Sequence, residues 1–382
     1  MKKTMLKAAV LSISLLMLAA TAASPALADI SKAFPDASPS TIGLIVSLPS
    51  LLMIPTTLLC GKLSSSIRKT RLLYFGVTMY TIGGVGPSFC DNLSLILTFR
   101  GILGIGLGFI GTLASGFIAD FFEGAERAAM MGLQSAMVSI GSIVTTLIAG
   151  FLSAINWHYT FFVYFIGLGV LLLTFFKLPE PPKVEVRGDE KQSLGFPIYG
   201  ISALFLIYSL LLFSFFTNIA MVVTSENLGN AANAGIVLTI MTVGSLIAGI
   251  FFGKISQLLK KNAIFAGIAL TGIGFLMLSY PLGLNMIIFE SLIIGIGFGT
   301  TMPSVMVKIS MVAPRTATTL AIAFATSAMG VGQFISPFVL NSIGNGSFRF
   351  IFLISGLGIL GCAAIWIVLN QKIEKVLNNA VS

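Results

Sequence analysis

The chain has 382 residues, 56% hydrophobic and only 9% charged, which excludes an ordinary soluble protein, where about a quarter of residues carry charge. Its formal charge of +9 does not mark a nucleic-acid binder, because the bases sit at the ends of apolar segments and form no stripe. Three scattered cysteines (Cys60, Cys90, Cys362) and a single histidine exclude a disulfide framework and a zinc site, and no metal or cofactor is expected.

Lys2-Lys3, an apolar run to Ala23 and Ala26-Leu27-Ala28 imitate a signal peptide with its cleavage site. We read the segment as a retained first helix, because removing it leaves an odd number of spans and leaves 197–222 without a counterpart. About 20 apolar residues cross a bilayer as a helix. That rule places spans at 5–24, 40–60, 72–90, 94–119, 128–153 and 159–178, then at 197–222, 233–252, 263–281, 286–308, 316–340 and 348–369. Between the two sets lies a polar stretch with Pro179, Pro181 and Pro182, then Lys183, Glu185, Arg187, Asp189, Glu190 and Lys191. Such a stretch reads as a solvated linker. The expected fold is therefore an all-α membrane protein of twelve transmembrane helices: a six-helix bundle over 1–178, a cytoplasmic linker over 179–195 and a pseudo-symmetric six-helix bundle over 196–382.

The two halves repeat one another. Gly61-Lys62-Leu63-Ser64, with Arg68-Lys69 after it, returns 192 residues later as Gly253-Lys254-Ile255-Ser256 with Lys260-Lys261. Gly104-Ile105-Gly106-Leu107-Gly108 returns 191 residues later as Gly295-Ile296-Gly297-Phe298-Gly299. Two equivalent apolar halves are the signature of a membrane transporter. With the N-terminus cytoplasmic, nineteen of the 22 bases fall on the inner side, leaving Lys32 and Arg349 outside and Arg100 within a helix. That bias sets the orientation and places both termini in the cytoplasm of a multi-pass cell-membrane protein.

The loop Gly61-Lys62-Leu63-Ser64-Ser65-Ser66-Ile67-Arg68-Lys69-Thr70 resembles the motif Gly-x-Leu-Ala-Asp-Arg-x-Gly-Arg-Lys of the major facilitator superfamily, matching at Gly61, Leu63 and Lys69. The family's Asp is Ser65 here and its second Gly is Arg68. Arg100 and the glycine run after it are similar to the family's helix-4 motif. In helix 5, Gly141 and Gly150 match the pattern of its proton-driven antiporters, but Thr145-Thr146 replaces the Gly-Pro pair; Gly332-Gln333-Phe334-Ile335-Ser336-Pro337 in helix 11 is a pseudo-symmetric echo. The resemblance covers essentially the whole chain and implies that helices 1, 4, 7 and 10 line a central cavity.

An ionised side chain inside a membrane span is costly and marks function by default. Arg100 and Glu290, the one carboxylate within an expected span, are thus the expected proton-coupling or gating pair, although the repeat sets Glu290 against Phe99. One residue is about 100° around a helix, so the two need not point symmetrically. Asp120 at a helix end and Arg127 at a helix start both oppose the helix dipole, which calls for partners, either each other or the 62–71 cluster. With Gly61, Lys69 and Gly253 they form the expected cytoplasmic gate. Asn218, Gln134, Gln333, Met302 and Phe298 are the candidates for a substrate cavity, and interhelical bonding or packing is the competing role for each. His158 beside Trp157 reads as an interfacial anchor.

Other classes fit less well. Gly249-Ile250-Phe251-Phe252-Gly253-Lys254 has three residues, not four, between its glycines and ends a membrane helix, so it is no phosphate loop. No His-Glu motif or Ser/His pair at membrane depth supports an enzyme, and no cytoplasmic domain supports a sensor. The expectation is secondary transport by a monomer whose partners are a small molecule, protons and the bilayer. Proton-coupled efflux of amphipathic compounds, as in the multidrug antiporters the chain resembles, comes first. Uptake or facilitated diffusion of a specific metabolite is the alternative.

Overall fold

A computed structural model of the chain describes residues 2–17, 19–64, 66–181, 195–281, 283–313 and 318–381. Ser65, the linker charges from Lys183 to Lys191 and Arg315 lie outside the described residues. Fourteen α-helices are present among those described. They are α1 (Lys2–Ser14), α2 (Leu27–Ala33), α3 (Pro39–Leu63), α4 (Lys69–Val85), α5 (Leu93–Phe121), α6 (Gly124–Ile155) and α7 (Ile166–Lys177). There follow α8 (Phe196–Ser225), α9 (Ala231–Ile250), α10 (Phe252–Leu259), α11 (Ala263–Leu278), α12 (Leu284–Val312), α13 (Thr318–Ile343) and α14 (Phe348–Val381).

Nine segments among the described residues are long and apolar enough to cross a membrane, and a tenth arises if α10 and α11, bent by 108°, count as one. Each expected span overlaps a helix, but some are shorter or more broken than the apolar runs imply. At the N-terminus α1 ends at Ser14 after 13 residues, about 20 Å at 1.5 Å per residue against a core of about 30 Å. A 3-10 segment, Ala19–Ala26, continues it, with Ala22, Ala23 and Ala26 buried. The 3-10 segments Gly86–Phe89 and Trp157–Phe165 likewise extend α4 and precede α7. The second Gly-Lys motif is a finding of its own kind: where Gly61-Lys62-Leu63 is the last turn of α3, Gly253-Lys254-Ile255-Ser256 lies inside the separate short helix α10.

The chain divides into two compact units. One comprises Met1–Arg187 with Val223–Thr239, the other Gly188–Val222 with Ile240–Ser382. Glycine determines how each is built, because without a side chain two helix backbones can touch. In the first unit Gly104 of α5 lies against the Pro49 backbone of α3, and a Cβ there would stand 2.5 Å from the Pro49 carbonyl oxygen. Gly106, two residues on, presses instead on α4 at Gly76 and Tyr80. The second unit repeats this. Gly295 and Gly299 of α12 meet Met241 and Ser245 of α9, and Gly297 meets Gly267 and Thr271 of α11. The match extends to contacts the sequence does not advertise: Gly83 backs onto Phe99 and Leu103, and Gly274, 191 residues later, onto Glu290 and Ile294. A three-helix packing is therefore used twice, α3–α4–α5 and α9–α11–α12.

Candidate functional site

Arg100 sits on α5 with no exposed surface. Its guanidinium is engaged on three sides. Nε donates to the Ile45 carbonyl at 2.5 Å, Nη1 to the Tyr164 hydroxyl at 2.8 Å and Nη2 to the Ala20 carbonyl at 2.6 Å. Two of these acceptors have a local cause. The Ile45 carbonyl of α3 would bond the amide of residue 49, but residue 49 is proline and has no N–H. Ala20 lies in the 3-10 segment between α1 and α2 rather than in a continuous α-helix. Arg100 thus closes the backbone gap that Pro49 opens. In the second unit the residue facing the glycine run is Met241, which keeps its N–H, and the position equivalent to Arg100 is Ser291, bonded within its own helix to Ile287 at 2.6 Å. Beyond the arginine, Tyr164 packs edge-on to Tyr80 at 5.6 Å, and the Tyr80 hydroxyl has no hydrogen-bond partner among the described residues.

Glu290, in the second unit, is also fully buried, and neither carboxylate oxygen has a hydrogen-bond partner among the described residues. It lies on the face of α12 that packs on α11, where its backbone oxygen meets Gly274. The cation whose charge acts on it is Arg349, at the start of α14. Arg349 donates from Nη1 to the Leu278 carbonyl at 2.5 Å, one turn beyond Gly274 on the same helix.

At the opposite end of α5, Asp120 pairs with Lys69 of α4 at 2.7 Å, so its partner belongs to the 62–71 cluster and to its own unit. Lys7 of α1 pairs with Glu126 of α6 at 2.8 Å and lies over the Phe122 ring. Arg127 is exposed, as are Gly61 and Gly253, where an added Cβ would meet nothing within 4 Å. Glu180, not singled out by sequence, completes this end. Its carboxylate accepts from the backbone amides of Lys69 at 2.7 Å and Thr70 at 3.1 Å, and from the Thr70 hydroxyl. The first turn of α4 leaves its amides without intrahelical acceptors and has no side-chain cap of its own, and a carboxylate there also suits the helix dipole. Removing the carboxylate as Glu180→Ala is expected to cost about 1 kcal/mol at this terminus. Hydrogen exchange at residues 69–72 reads it: faster exchange is the expected result, and an unchanged rate would mean that water replaces the cap fully.

Of the cavity candidates, Asn218 is buried on α8 and bonds within its own helix, to the Ser214 carbonyl at 3.1 Å and the Thr217 hydroxyl at 3.0 Å. Gln134 of α6 reaches Ser115 of α5 at 3.2 Å, an interhelical bond. Phe298 and Met302 are half-buried neighbours one turn apart on α12, and Gln333 is half-buried on α13. His158 stacks on Trp157 at 3.6 Å and pairs with Asp91 at 3.0 Å, tying the loop ahead of α7 to the loop ahead of α5.

A family model described as Major Facilitator Superfamily matches residues 9–224 and again 202–381. Among curated proteins, Multidrug resistance protein 3 of Bacillus subtilis (strain 168) is 29% identical over 116 residues, 30% of this chain and 22% of that protein. Riboflavin transporter RibZ of Clostridioides difficile (strain 630) is 27% identical over 160 residues, 41% of this chain and 34% of that protein. The chain therefore spans about a fifth to a third of the length of these relatives. Among solved structures, a bacterial homologue of the human lysosomal transporter Spinster, in an inward-facing and unoccupied conformation, superposes with a TM-score of 0.79 at 14% identity, covering 98% of each chain. At that identity the likeness shows the fold alone.

Proposed function

The chain belongs to the Major Facilitator Superfamily, and from that premise we propose that it is a secondary active transporter that moves a small molecule across the cell membrane by alternating access. The observation that carries this reading is the duplicated match, once over each half of the chain, together with the duplicated helix packing within the two units. Repeats of this kind are the structural basis of alternating access. In this reading twelve helices form bundles over 1–178 and 196–382 around the linker 179–195, with both termini cytoplasmic and the chain a monomer.

We further propose proton-coupled efflux of amphipathic compounds. Glu290 is the group that loads and releases the proton, its unpartnered, buried carboxylate being the support for that role. Arg100 is the fixed positive charge of the other unit. Lys69, Asp120, Arg127, Gly61 and Gly253 belong to the cytoplasmic gate, and Asn218, Gln134, Gln333, Met302 and Phe298 to the substrate cavity. The relative named as a multidrug resistance protein supports efflux. Transport of one specific metabolite is the second reading, favoured by the longer alignment with a named riboflavin transporter.

Accumulation of a panel of lipophilic cationic dyes, measured in cells with and without the protein, separates the two. Lower accumulation that a protonophore restores is the expected result. If no dye responds while labelled riboflavin does, efflux of amphipathic compounds is the wrong reading.

A further inference from the structure

A cleft of about 340 Å³ opens in the second unit between α10, α11, α12 and α14, on the face of α12 that carries Ser304, Lys308 and Met311. Its composition is divided. Lys260 and Lys308 supply two positive charges at the rim, Ser256 and Asn370 supply neutral polar groups, and Phe252, Val307, Met311 and Trp366 supply apolar wall. Neither lysine forms an ion pair with a carboxylate among the described residues. The nearby acid, Glu374, acts electrostatically on Lys308 and accepts from Asn370 Nδ2 at 3.1 Å. That bond leaves Asn370 Oδ1 buried with no donor.

The surroundings place this cleft at the edge of a bilayer. Helix α10 turns by 108° from α11, none of its residues is buried, and it alternates Phe252, Ile255, Leu258 and Leu259 with Lys254, Ser256 and Gln257. A short amphipathic helix so disposed lies along a membrane surface. Lys260, which ends it, is held at φ +47°, a conformation that side-chain-bearing residues rarely adopt. From the lysines toward the middle of the helices the cleft is walled by Ile264 of α11 and Trp366 of α14. Soluble anions have no use for such a wall, whereas an acyl chain fits it. Basic pockets between membrane helices hold lipid headgroups by this combination.

We propose that the cleft binds one anionic phospholipid, its phosphate between Lys260 and Lys308 and its acyl chain past Ile264 and Trp366 toward the middle of the bilayer. Phosphatidylglycerol is such a lipid.

The test uses the full chain in detergent, with phosphatidylglycerol or phosphatidylcholine added and bound lipid counted by native mass spectrometry. One tightly held phosphatidylglycerol and no comparable phosphatidylcholine is the expected result. Each lysine near a lipid phosphate contributes about fivefold in affinity, so Lys260→Gln with Lys308→Gln is expected to weaken retention by about 25-fold. Lys254→Gln with Lys372→Gln removes two exposed charges outside the cleft and is expected to leave retention unchanged. Equal weakening by both pairs would show diffuse attraction and overturn the proposal. Displacement of the lipid by excess inorganic phosphate would also overturn it, by making the site one for a free anion. A melting temperature for each variant, taken in phosphatidylcholine, shows that the comparison is between folded proteins.

Discussion

Arg100→Ala is expected to destabilise the protein by about 2–5 kcal/mol, and Arg100→Met by far less, while both lose transport. The large term is packing. Arg100 is among the largest fully buried side chains of the chain, and truncation to alanine leaves a cavity of the kind that costs that much. Methionine fills most of the volume, so what remains is the balance of polar terms. Three hydrogen bonds are lost, each worth on average about 0.6 kcal/mol between membrane helices. Against this, a cation at membrane depth costs about 2.5–3.5 kcal/mol to place. The two terms nearly cancel, with the balance on the side of methionine. Arg100 is therefore not needed to hold the fold, and a loss of transport in a methionine variant that melts near the wild-type temperature points to its charge. A methionine variant that fails to fold would show instead that the three bonds outweigh the insertion cost. Pro49 offers an independent check, since Pro49→Ala restores the amide that the Ile45 carbonyl lacks. In that background the Nε bond of Arg100 becomes redundant, and a double-mutant cycle is expected to give a coupling of about 0.6–1.7 kcal/mol.

Much of this architecture can be read from residue types, because its governing constraint is periodic. Apolar runs of spanning length mark the helices, and the glycine triplets at 104–108 and 295–299 give both the repeat and the faces that touch. Their alternation has a simple origin: residues two apart on a helix lie on different faces, so 104 and 108 address one neighbour and 106 another. What the sequence conceals is partnership across distance. Tyr164 is one of seven tyrosines and Glu180 one acid in a proline-rich stretch, and nothing near either names Arg100 or the α4 terminus as its partner. A signal did exist for the second, since α4 starts at Lys69 after Arg68, with no capping side chain, and so needs an acceptor from elsewhere. The break after Ser14 was hidden for another reason. Hydropathy reads the run to Ala23 as continuous, whereas Ala20 gives its carbonyl sideways to Arg100, 80 residues away.

Glu290→Gln is expected to fold at least as well as the wild type and to lose proton-driven transport by at least about tenfold, a loss of about 1.4 kcal/mol or more in the coupled step. The first half follows from surroundings. A buried carboxylate with no hydrogen bond on either oxygen costs several kcal/mol when ionised, and an amide of the same shape carries no such cost. Packing does not change, because glutamine has the shape and volume of glutamate. The second half tests the proposed role. An amide cannot exchange a proton, so net transport against a gradient should fall, while substrate exchange between two equal pools, which moves no net proton, should persist. Glu290→Asp keeps the acid and is expected to recover part of the driven transport. Full driven transport by the glutamine variant would remove Glu290 from the coupling step. Loss of both driven transport and exchange in the glutamine and aspartate variants alike would assign it to gating with Arg349, which bonds Leu278 at the end of α11, the helix on which Glu290's helix packs. Exchange kept and driven transport lost is the one pattern that a purely structural carboxylate does not produce, since the structural defect would slow both.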